Sequence, residues 1–218
     1  MVKIYLTRHG QTEWNLQKRM QGWFDSPLTQ EGQQAAIALG RRLAQIPFSA
    51  IYASSSGRTV DTAKFICCER QIPIFFKQQL REINVGEWQG MTDSEIKRTY
   101  PEQYHHYYNH PTEYKSEEGE TFEDVLQRVL PVIKDVIEDY EDDEPVLIVT
   151  HAVVKKLLIA HFQNQSIDHV WDPPFIHGTS LTVLHLKKNG DVHFECIGDT
   201  EHMQKQNSYQ KTPSSIFA

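Results

Sequence analysis

The sequence has few cysteines, no long apolar run and no excess of basic residues, and each shortage excludes a class of protein. Its 218 residues include three cysteines, which cannot all pair, so we expect free thiols in a reducing cytosol rather than a disulfide framework. No apolar run approaches the ~18 residues of a membrane span. Lys3 and Arg8 interrupt the apolar N-terminal residues, which does not fit a secretory signal. These shortages predict a cytoplasmic protein without a membrane partner.

Charge and length set further limits. Lysine and arginine together number 22 against 29 acidic residues, giving a net charge of -7, whereas a nonspecific nucleic-acid partner would require a basic face. The length suffices for one sizeable α/β domain with a buried core. We expect a single domain over residues 1–200 and a loosely attached polar tail over residues 201–218, because little periodicity remains after Thr200 and no repeat or linker divides the chain.

Arginine and histidine follow the first predicted strand at the point where it ends. Residues 2–6 alternate as in a short strand, and Gly10 marks the turn after Arg8 and His9. In open α/β sheets, ligands bind at this carboxyl edge. Arginine suits phosphate oxygens, and a neutral imidazole is a good nucleophile toward phosphorus. A single histidine in this position more often caps a turn. The hypothesis of a phosphate site therefore requires further cationic or imidazole groups at the same edge of the sheet.

Two further strand-to-helix junctions repeat this arrangement. A strand at residues 51–53 leads through serines and a glycine to Arg58, at the start of a predicted helix over residues 59–69. A buried strand at residues 145–150 leads directly to His151 and a second predicted helix, Ala152–Phe162. Helix starts favour anions. The three junctions together predict an anion site at one edge of the sheet.

A carboxylate is also needed if the reaction expels or activates an oxygen, and Glu82 is the candidate. It precedes a loop punctuated by glycine, where functional groups are often presented, whereas Glu87 is next to Trp88 and can simply face water. Acidic residues are mostly exposed, so a solvated surface acid is the alternative interpretation of either glutamate.

The order of these motifs resembles the histidine phosphatase superfamily, also called the phosphoglycerate mutase-like superfamily. The resemblance covers most of residues 2–186. Two positions depart from the common pattern: Ser56 stands where many relatives have an acid, and Ala152 stands where glycine, which is freer in backbone angle, is common. The motifs that carry the resemblance are Arg8-His9-Gly10-Gln11-Thr12-Glu13-Trp14-Asn15, Gln21-Gly22, Asp25-Ser26-Pro27-Leu28-Thr29 with Gly32, the serines with Arg58 and Thr62-Ala63, Leu80-Arg81-Glu82 with Gly86 and Trp88, and Thr150-His151.

This resemblance implies a fold and a mechanism. The fold is a three-layer α/β/α sandwich with a mostly parallel central sheet and a small helical lid insertion at about residues 92–120. The implied reaction is hydrolysis of small phosphate monoesters through a phosphohistidine on His9, with Glu82 moving the proton and no metal or other cofactor. The groups expected to hold phosphate oxygens are Arg8, Asn15, Gln21, Gly22, Arg58, His151 and Ala152.

Several functions remain open within this resemblance. A phosphoglycerate mutase shares the nucleophile, but mutases usually carry a longer insertion, and residues 80–86 resemble the phosphatase branch. A noncatalytic phosphate-binding module is the third hypothesis, although such relatives usually lose a catalytic residue. Broad-specificity phosphatases share their motifs with enzymes for phosphoglycerate, phosphoserine or α-ribazole phosphate. We favour broad specificity, because acidic residues offset the basic ones in the lid and disfavour a bisphosphate. The protein is expected to be a monomer or a homodimer.

The lid insertion contains aromatic residues that allow two interpretations. They can line a wall for an organic group attached to phosphate, or they can pack the insertion onto the core. The tyrosines concerned are Tyr104, Tyr107, Tyr108 and Tyr114. His106 and His110 would share a helix face near His105, but the tyrosines favour a polar-aromatic lid over a metal site.

Capping residues and periodicity predict the rest of the scaffold. Thr29 can cap a helix over residues 30–44, and Thr121 can cap a helix to residue 140 with one apolar face. Residues 181–186 and 192–197, joined by a turn with Gly190, predict a hairpin that closes the sheet.

Overall fold

A computed structural model describes residues 1–141 and 144–204, and within them six strands form one sheet. The strand order is β3-β2-β4-β1-β5-β6, with parallel pairing from β3 to β1 and antiparallel pairing of β5 and β6. This confirms the mostly parallel sheet. The strands are β1 (Val2–Arg8), β2 (Ala50–Ser54), β3 (Ile74–Lys77), β4 (Val146–Thr150), β5 (Leu181–Leu186) and β6 (Val192–Asp199).

Helices cover both faces of the sheet and give three layers. The helices are α1 (Glu13–Leu16), α2 (Gln30–Arg42), α3 (Gly57–Cys67), α4 (Asp93–Thr99), α5 (Pro101–Asn109), α6 (Phe122–Asp139), α7 (Ala152–Phe162) and α8 (Glu201–Gln204). Short 3₁₀ helices lie at Gln78–Leu80, Gly86–Trp88, Pro111–Glu113 and Ile167–His169. One core packs α6, α7 and the lid against the sheet, and the other packs α2 and α3 against the opposite face. The predicted α/β/α sandwich is therefore confirmed.

Local sequence signals account for most helix boundaries. The predicted caps Thr29 and Thr121 both accept hydrogen bonds from main-chain N–H groups of the first turn. Helix α7 has the predicted bounds. Helix α2 ends at Arg42, two residues before its predicted end, and α3 runs two residues ahead of prediction, from Gly57 to Cys67. Cys68 has a left-handed φ of 53°, which ends α3.

Helix α6 is held to the sheet by its apolar face. Five residues of that face are buried: Val125, Val129, Val132, Ile133 and Val136. Each such side chain contributes about 1.5–3 kcal/mol when it is fully removed from water. This burial fixes α6 against one face of the sheet.

The lid insertion, which contains α4, α5 and the 3₁₀ helix Pro111–Glu113, is packed onto the core through its aromatic residues. Tyr107 and Tyr114 are buried, and the Tyr107 ring lies 5.0 Å from that of Phe122 and 5.3 Å from that of Trp171. Of the two interpretations left open by the sequence, packing therefore describes Tyr107 and Tyr114. Tyr104 donates a hydrogen bond to Asp93 within the lid.

Three further findings concern the cysteines, membrane-spanning helices and the predicted C-terminal tail. Cys67, Cys68 and Cys196 are free thiols. Within residues 1–141 and 144–204, no helix is long and apolar enough to cross a membrane. The described chain continues past residue 200 into α8, where His202 is buried. The rest of the predicted tail, residues 205–218, lies outside the described residues.

Candidate active site

The three predicted junctions meet at the carboxyl edge of the sheet. Strands β2, β4 and β1 are parallel neighbours in that order, so the residues that follow them emerge side by side. The main-chain N–H of His9 donates to Thr150 O at 2.9 Å, which extends the β1–β4 ladder up to the site. The imidazole rings of His9 and His151 are 5.3 Å apart. His9 and His151 therefore lie close together at this edge of the sheet, as the sequence predicted.

His9 is buried in a single tautomer. Its Nδ1 donates to the main-chain oxygen of Gly10 at 2.7 Å, because a carbonyl oxygen can only accept. The other ring nitrogen, Nε2, then carries the lone pair. Burial lowers the pKa of His9 well below its usual value, and the charges of Arg58 and Arg8 lower it further. His9 is therefore a neutral imidazole whose Nε2 is free to act as a nucleophile.

The turn after His9 is fixed by close backbone approach. A Cβ on Gly10 would lie 2.6 Å from Gly32 O, so no larger residue fits there. The Gly10 N–H donates to Thr62 Oγ1 at 3.0 Å, and Thr62 Oγ1 donates to Arg58 O at 2.6 Å. Thr62 therefore connects the turn that carries His9 to the helix that carries Arg58.

Arg58 is almost fully buried, with 1% of its surface exposed, at the start of α3. Its Nη1 donates to Phe24 O at 2.8 Å and to Asp25 Oδ1 at 2.9 Å, and its Nη2 donates to Gly22 O at 2.9 Å. Gly22 has a φ of +53°, a left-handed conformation that favours glycine. Burial lowers the pKa of Arg58, and Asp25 and Glu82 oppose that effect, so the guanidinium stays charged.

Arg8 supplies the second buried guanidinium. Its Nη1 donates to Ile176 O at 2.9 Å, while its Nε has no partner among the described residues. Burial lowers the pKa of Arg8, and the charge of Glu82 opposes this. Arg8, Asn15 and His177 also border a cavity of about 130 Å³. A buried donor without a protein partner is a group that an anionic ligand could satisfy.

His151 is fully buried at the start of α7. Its Nε2 lies 2.8 Å from Ser54 Oγ, and its Nδ1 has no partner within the described residues. Burial lowers the pKa of His151 well below its usual value, and Arg58, His9 and Arg8 reinforce the effect. A neutral His151 whose Nδ1 is protonated would offer that hydrogen to an anion. Ala152 is the first residue of α7, where main-chain N–H groups lack helical partners.

Glu82 lies in the acid loop, which we define as residues 79–84. Its Oε1 accepts from the N–H of Ile83 at 3.0 Å, and its Oε2 accepts from the N–H of Val153, in the first turn of α7, at 3.3 Å. The charge of Glu82 acts on both Arg8 and Arg58. The predicted carboxylate is therefore within electrostatic range of the two predicted arginines.

Two more predicted residues occupy the first loops of the chain. Asn15 Oδ1 accepts from the N–H and the hydroxyl of Thr12, both at 3.0 Å, and so caps α1. The amide nitrogen of Asn15 is then the group that can donate to a ligand. Gln21 is buried, and its Oε1 has no partner in the described part of the chain.

The structure adds supporting residues that the sequence analysis did not single out. Asp25 forms an ion pair with Arg58, Ser54 contacts His151, and Arg128 donates to the main chain of the acid loop. Asp25 begins one of the motifs that carry the family resemblance, and that motif was the available sign of its role. Ser54 and Arg128 are 97 and 46 residues from their partners, and no local pattern identifies such pairs.

The assembled groups are suited to a tetrahedral dianion. Two charged guanidinium groups and a neutral imidazole surround a second neutral imidazole with a free lone pair, and a carboxylate stands nearby. Guanidinium groups match phosphate oxygens and stabilise charge that develops during phosphoryl transfer.

Comparisons with known proteins agree with this chemistry. The family model described as "Histidine phosphatase superfamily (branch 1)" matches residues 4–200. The mouse protein "6-phosphofructo-2-kinase/fructose-2,6-bisphosphatase 1" is 35% identical over 217 residues, which are 98% of this chain and 43% of that protein. The chain thus spans less than half the length of this bifunctional relative. Phosphoserine phosphatase 1 of Hydrogenobacter thermophilus is 27% identical over 192 residues, covering 88% of this chain and 90% of that protein.

A solved structure extends the likeness to three dimensions. YhfR of Bacillus stearothermophilus superposes with a TM-score of 0.90 and 44% identity, covering 93% of this chain and all of that one. The likeness in fold therefore extends over nearly all of this chain.

Proposed function

The chain belongs to branch 1 of the histidine phosphatase superfamily, and from this membership we propose that it hydrolyses small phosphate monoesters through a phosphohistidine on His9, without a metal ion. The hydrogen bond from His9 Nδ1 to Gly10 O carries this proposal. It presents Nε2 as the nucleophile and leaves no proton to remove before attack. The two guanidinium groups supply the positive charge that a metal ion supplies in other phosphatases.

In the first step, His9 Nε2 attacks phosphorus opposite the leaving oxygen. The nitrogen–phosphorus bond forms as the bond to the ester oxygen breaks, and protonated Glu82 gives its proton to that oxygen. Arg8, Arg58 and His151 hold the nonbridging oxygens. Asn15, Gln21, Gly22 and Ala152 are proposed as further phosphate contacts, Gly22 also acting through its hydrogen bond with Arg58.

In the second step, water replaces the alcohol. Glu82, now a carboxylate, takes a proton from water as the oxygen attacks phosphorus, and the bond to His9 Nε2 breaks. Inorganic phosphate leaves, Glu82 is protonated again, and Nδ1 keeps its hydrogen bond to Gly10 throughout. Uncatalysed hydrolysis of phosphate monoesters is so slow that enzymes accelerate it by up to about 10²¹-fold, so this charge arrangement must provide most of the rate.

For the substrate class, we propose broad specificity toward monophosphates. The lid carries Lys97, Arg98 and Lys115 among a larger number of acidic residues, which favours one phosphate over two. The second candidate is a sugar bisphosphate, and the names of the bifunctional relatives favour it. The proposed partner is thus a small phosphate ester, for a protein acting as a monomer or homodimer in the cytoplasm.

The decisive experiment measures phosphate release from a panel of monophosphates and sugar bisphosphates in the presence of a chelator, beside a mutase assay on phosphoglycerate with its bisphosphate primer. Release without isomerisation supports the proposal. Isomerisation without release identifies a mutase, and no turnover in either assay favours a phosphate-binding module. Many-fold faster turnover of sugar bisphosphates than of monophosphates would replace broad specificity with the second candidate.

A further inference from the structure

The acid loop contains no strand and only the end of a 3₁₀ helix, yet its main-chain oxygens are bound by side chains from distant elements. Thr150 Oγ1 donates to Leu80 O at 2.8 Å, and the indole of Trp23 donates to Glu82 O at 2.9 Å. The most extensive contact comes from Arg128, in the middle of α6. This arginine is outside the group of residues that would touch phosphate.

Arg128 donates hydrogen bonds to three main-chain oxygens of the acid loop. Its Nη1 donates to Gln79 O at 2.6 Å and to Arg81 O at 2.8 Å, and its Nη2 donates to Glu82 O at 3.0 Å. Three carbonyls of consecutive or nearly consecutive residues are thus bound by one planar group. The rigid fork of arginine can do this, whereas the single nitrogen of lysine cannot reach all three.

Glu120 binds both Arg128 and Asn84, the last residue of the acid loop. Its Oε1 and Oε2 accept from Nε and Nη2 of Arg128 at 2.6 and 2.8 Å, which makes the pair bidentate. Glu120 Oε2 also accepts from the N–H of Asn84 at 2.8 Å, and Glu120 N donates to Asn84 O at 2.7 Å. Both charged side chains are 18% exposed, so the pair is largely shielded from water.

The carboxylate of Glu82 is held by main-chain groups of this loop and of α7. Its Oε1 is bound by the N–H of the next residue, Ile83, at 3.0 Å, and its Oε2 is bound at 3.3 Å by Val153 of α7. A shift of the loop would therefore lengthen the contact with α7, whose first turn follows His151. Errors of about 1 Å in placing a catalytic group can cost on the order of 10²-fold in rate.

We infer that Arg128 and Glu120 form a clamp that positions Glu82 against the leaving oxygen of the substrate. The clamp acts through the main chain on both sides of Glu82, so both are positioning residues rather than catalytic ones. The inference rests on the proposed function, because it assumes that Glu82 gives its proton to the leaving group.

The test compares Arg128→Met with wild type on two substrates, p-nitrophenyl phosphate, whose leaving group needs little protonation, and an alkyl phosphate, whose leaving group needs it. The measured quantity is kcat/KM, which reports the steps up to formation of the phosphohistidine. We expect kcat/KM to fall on the order of 10²-fold for the alkyl phosphate and by less than about threefold for p-nitrophenyl phosphate.

The matched control is Arg42→Met. Arg42 makes a bidentate pair with Asp199 at 2.6 and 3.1 Å, both side chains being 28% exposed, between α2 and β6 and away from the acid loop. The Arg42→Met variant loses the same kind of ion pair as Arg128→Met, and we expect its kcat/KM to be unchanged for both substrates. Arg128→Lys serves as a second variant that keeps the charge, and we expect an intermediate loss confined to the alkyl phosphate.

The outcomes separate the two proposals when Glu82→Gln is measured in parallel. A preferential loss for the alkyl phosphate in Glu82→Gln and in the Arg128 variants supports both. A preferential loss in Glu82→Gln alone, with equal or no loss in both Arg128 variants, overturns the clamp and leaves the proposed function standing. Equal losses for both substrates in Glu82→Gln, or no turnover by wild type, overturn the proposed role of Glu82 and the clamp with it.

Discussion

Replacing Asp25 by asparagine should destabilise the protein, and phosphate should restore part of the lost stability. Asp25 is the carboxylate partner of buried Arg58, accepting from its Nη1 at 2.9 Å and from its main-chain N–H at 3.2 Å. Asparagine has the same shape but no charge, and its amide nitrogen cannot accept a hydrogen bond. With the amide oxygen in the place of Oδ1, it can still accept from Nη1 at 2.9 Å and from the main-chain N–H of Arg58 at 3.4 Å. Gly22 O and Phe24 O still hold the guanidinium in place, so the substitution removes compensation of charge and leaves the geometry.

The size of the effect follows from these two bonds. A hydrogen bond to a charged group contributes about 1.5–3 kcal/mol and a neutral one about 0.5–1.5, so losing the charge costs roughly 1–1.5 kcal/mol for each bond. The Asp25 side chain is 39% exposed, and solvent screening reduces the total to about 1–2 kcal/mol. Bound phosphate would supply the missing negative charge and reduce this cost through binding linkage.

Urea denaturation with and without saturating inorganic phosphate measures both effects. The control is Asp61→Asn, which removes an exposed charge from the same helix, and its free energy of unfolding should stay within about 0.5 kcal/mol of wild type. A cost for Asp25→Asn that is the same at every phosphate concentration would refute the reasoning, because Arg58 would then not exchange one anion for the other.

Three further predictions concern the proposed nucleophile, the proposed general acid and a buried histidine. His9→Ala should fold normally, by circular dichroism and thermal melting, and release no phosphate from any ester; measurable turnover would rule out a phosphohistidine on His9. Glu82→Gln should lower kcat/KM for alkyl phosphates on the order of 10²-fold or more and for p-nitrophenyl phosphate far less, and equal losses would reject Glu82 as the general acid. Burial, mainly, lowers the pKa of His202 from 6.5 to about 4, so the folded protein keeps this histidine neutral while the unfolded chain takes up a proton. Its contribution to stability is therefore complete above pH 6.5 and is lost as the pH falls from 6.5 toward 4; urea titrations of wild type and His202→Gln should diverge in that range, and parallel curves would contradict the assignment.

The sequence was sufficient for the parts of the fold that depend on neighbouring residues. The bounds of α7, the caps Thr29 and Thr121, and the turn at Gly10 are all encoded within a few positions. The placement of Arg8, His9, Arg58 and His151 followed from one rule, that parallel strands end at the same edge of a sheet.

The remaining features depend on long-range contacts. Strand β3 was not predicted, because it is four residues long and carries exposed Phe75 and Phe76 at the sheet edge instead of an alternating pattern. Arg58 is at least 33 residues from the groups that it binds in residues 22–25, and Arg128 is at least 46 residues from the groups that it binds in the acid loop. Spacing along the chain does not indicate such pairs. The lid tyrosines could not be assigned from sequence, since an aromatic side chain suits a core as well as a wall.

The position of β1 in the sheet determines when during synthesis the candidate site can form. The strand that carries Arg8 precedes every other strand of the sheet in the chain, yet it lies between β4 and β5, pairing Arg8 with Thr150 and Val2 with Leu186. Its partners leave the ribosome only after β2, β3 and the helices between them have been made, and such distant pairing is slow to form. A nascent chain therefore carries Arg8 and His9 on or beside an unpaired apolar strand until β4 and β5 have been made, exposed to aggregation and to chaperones, and the site forms only when those strands pair with β1.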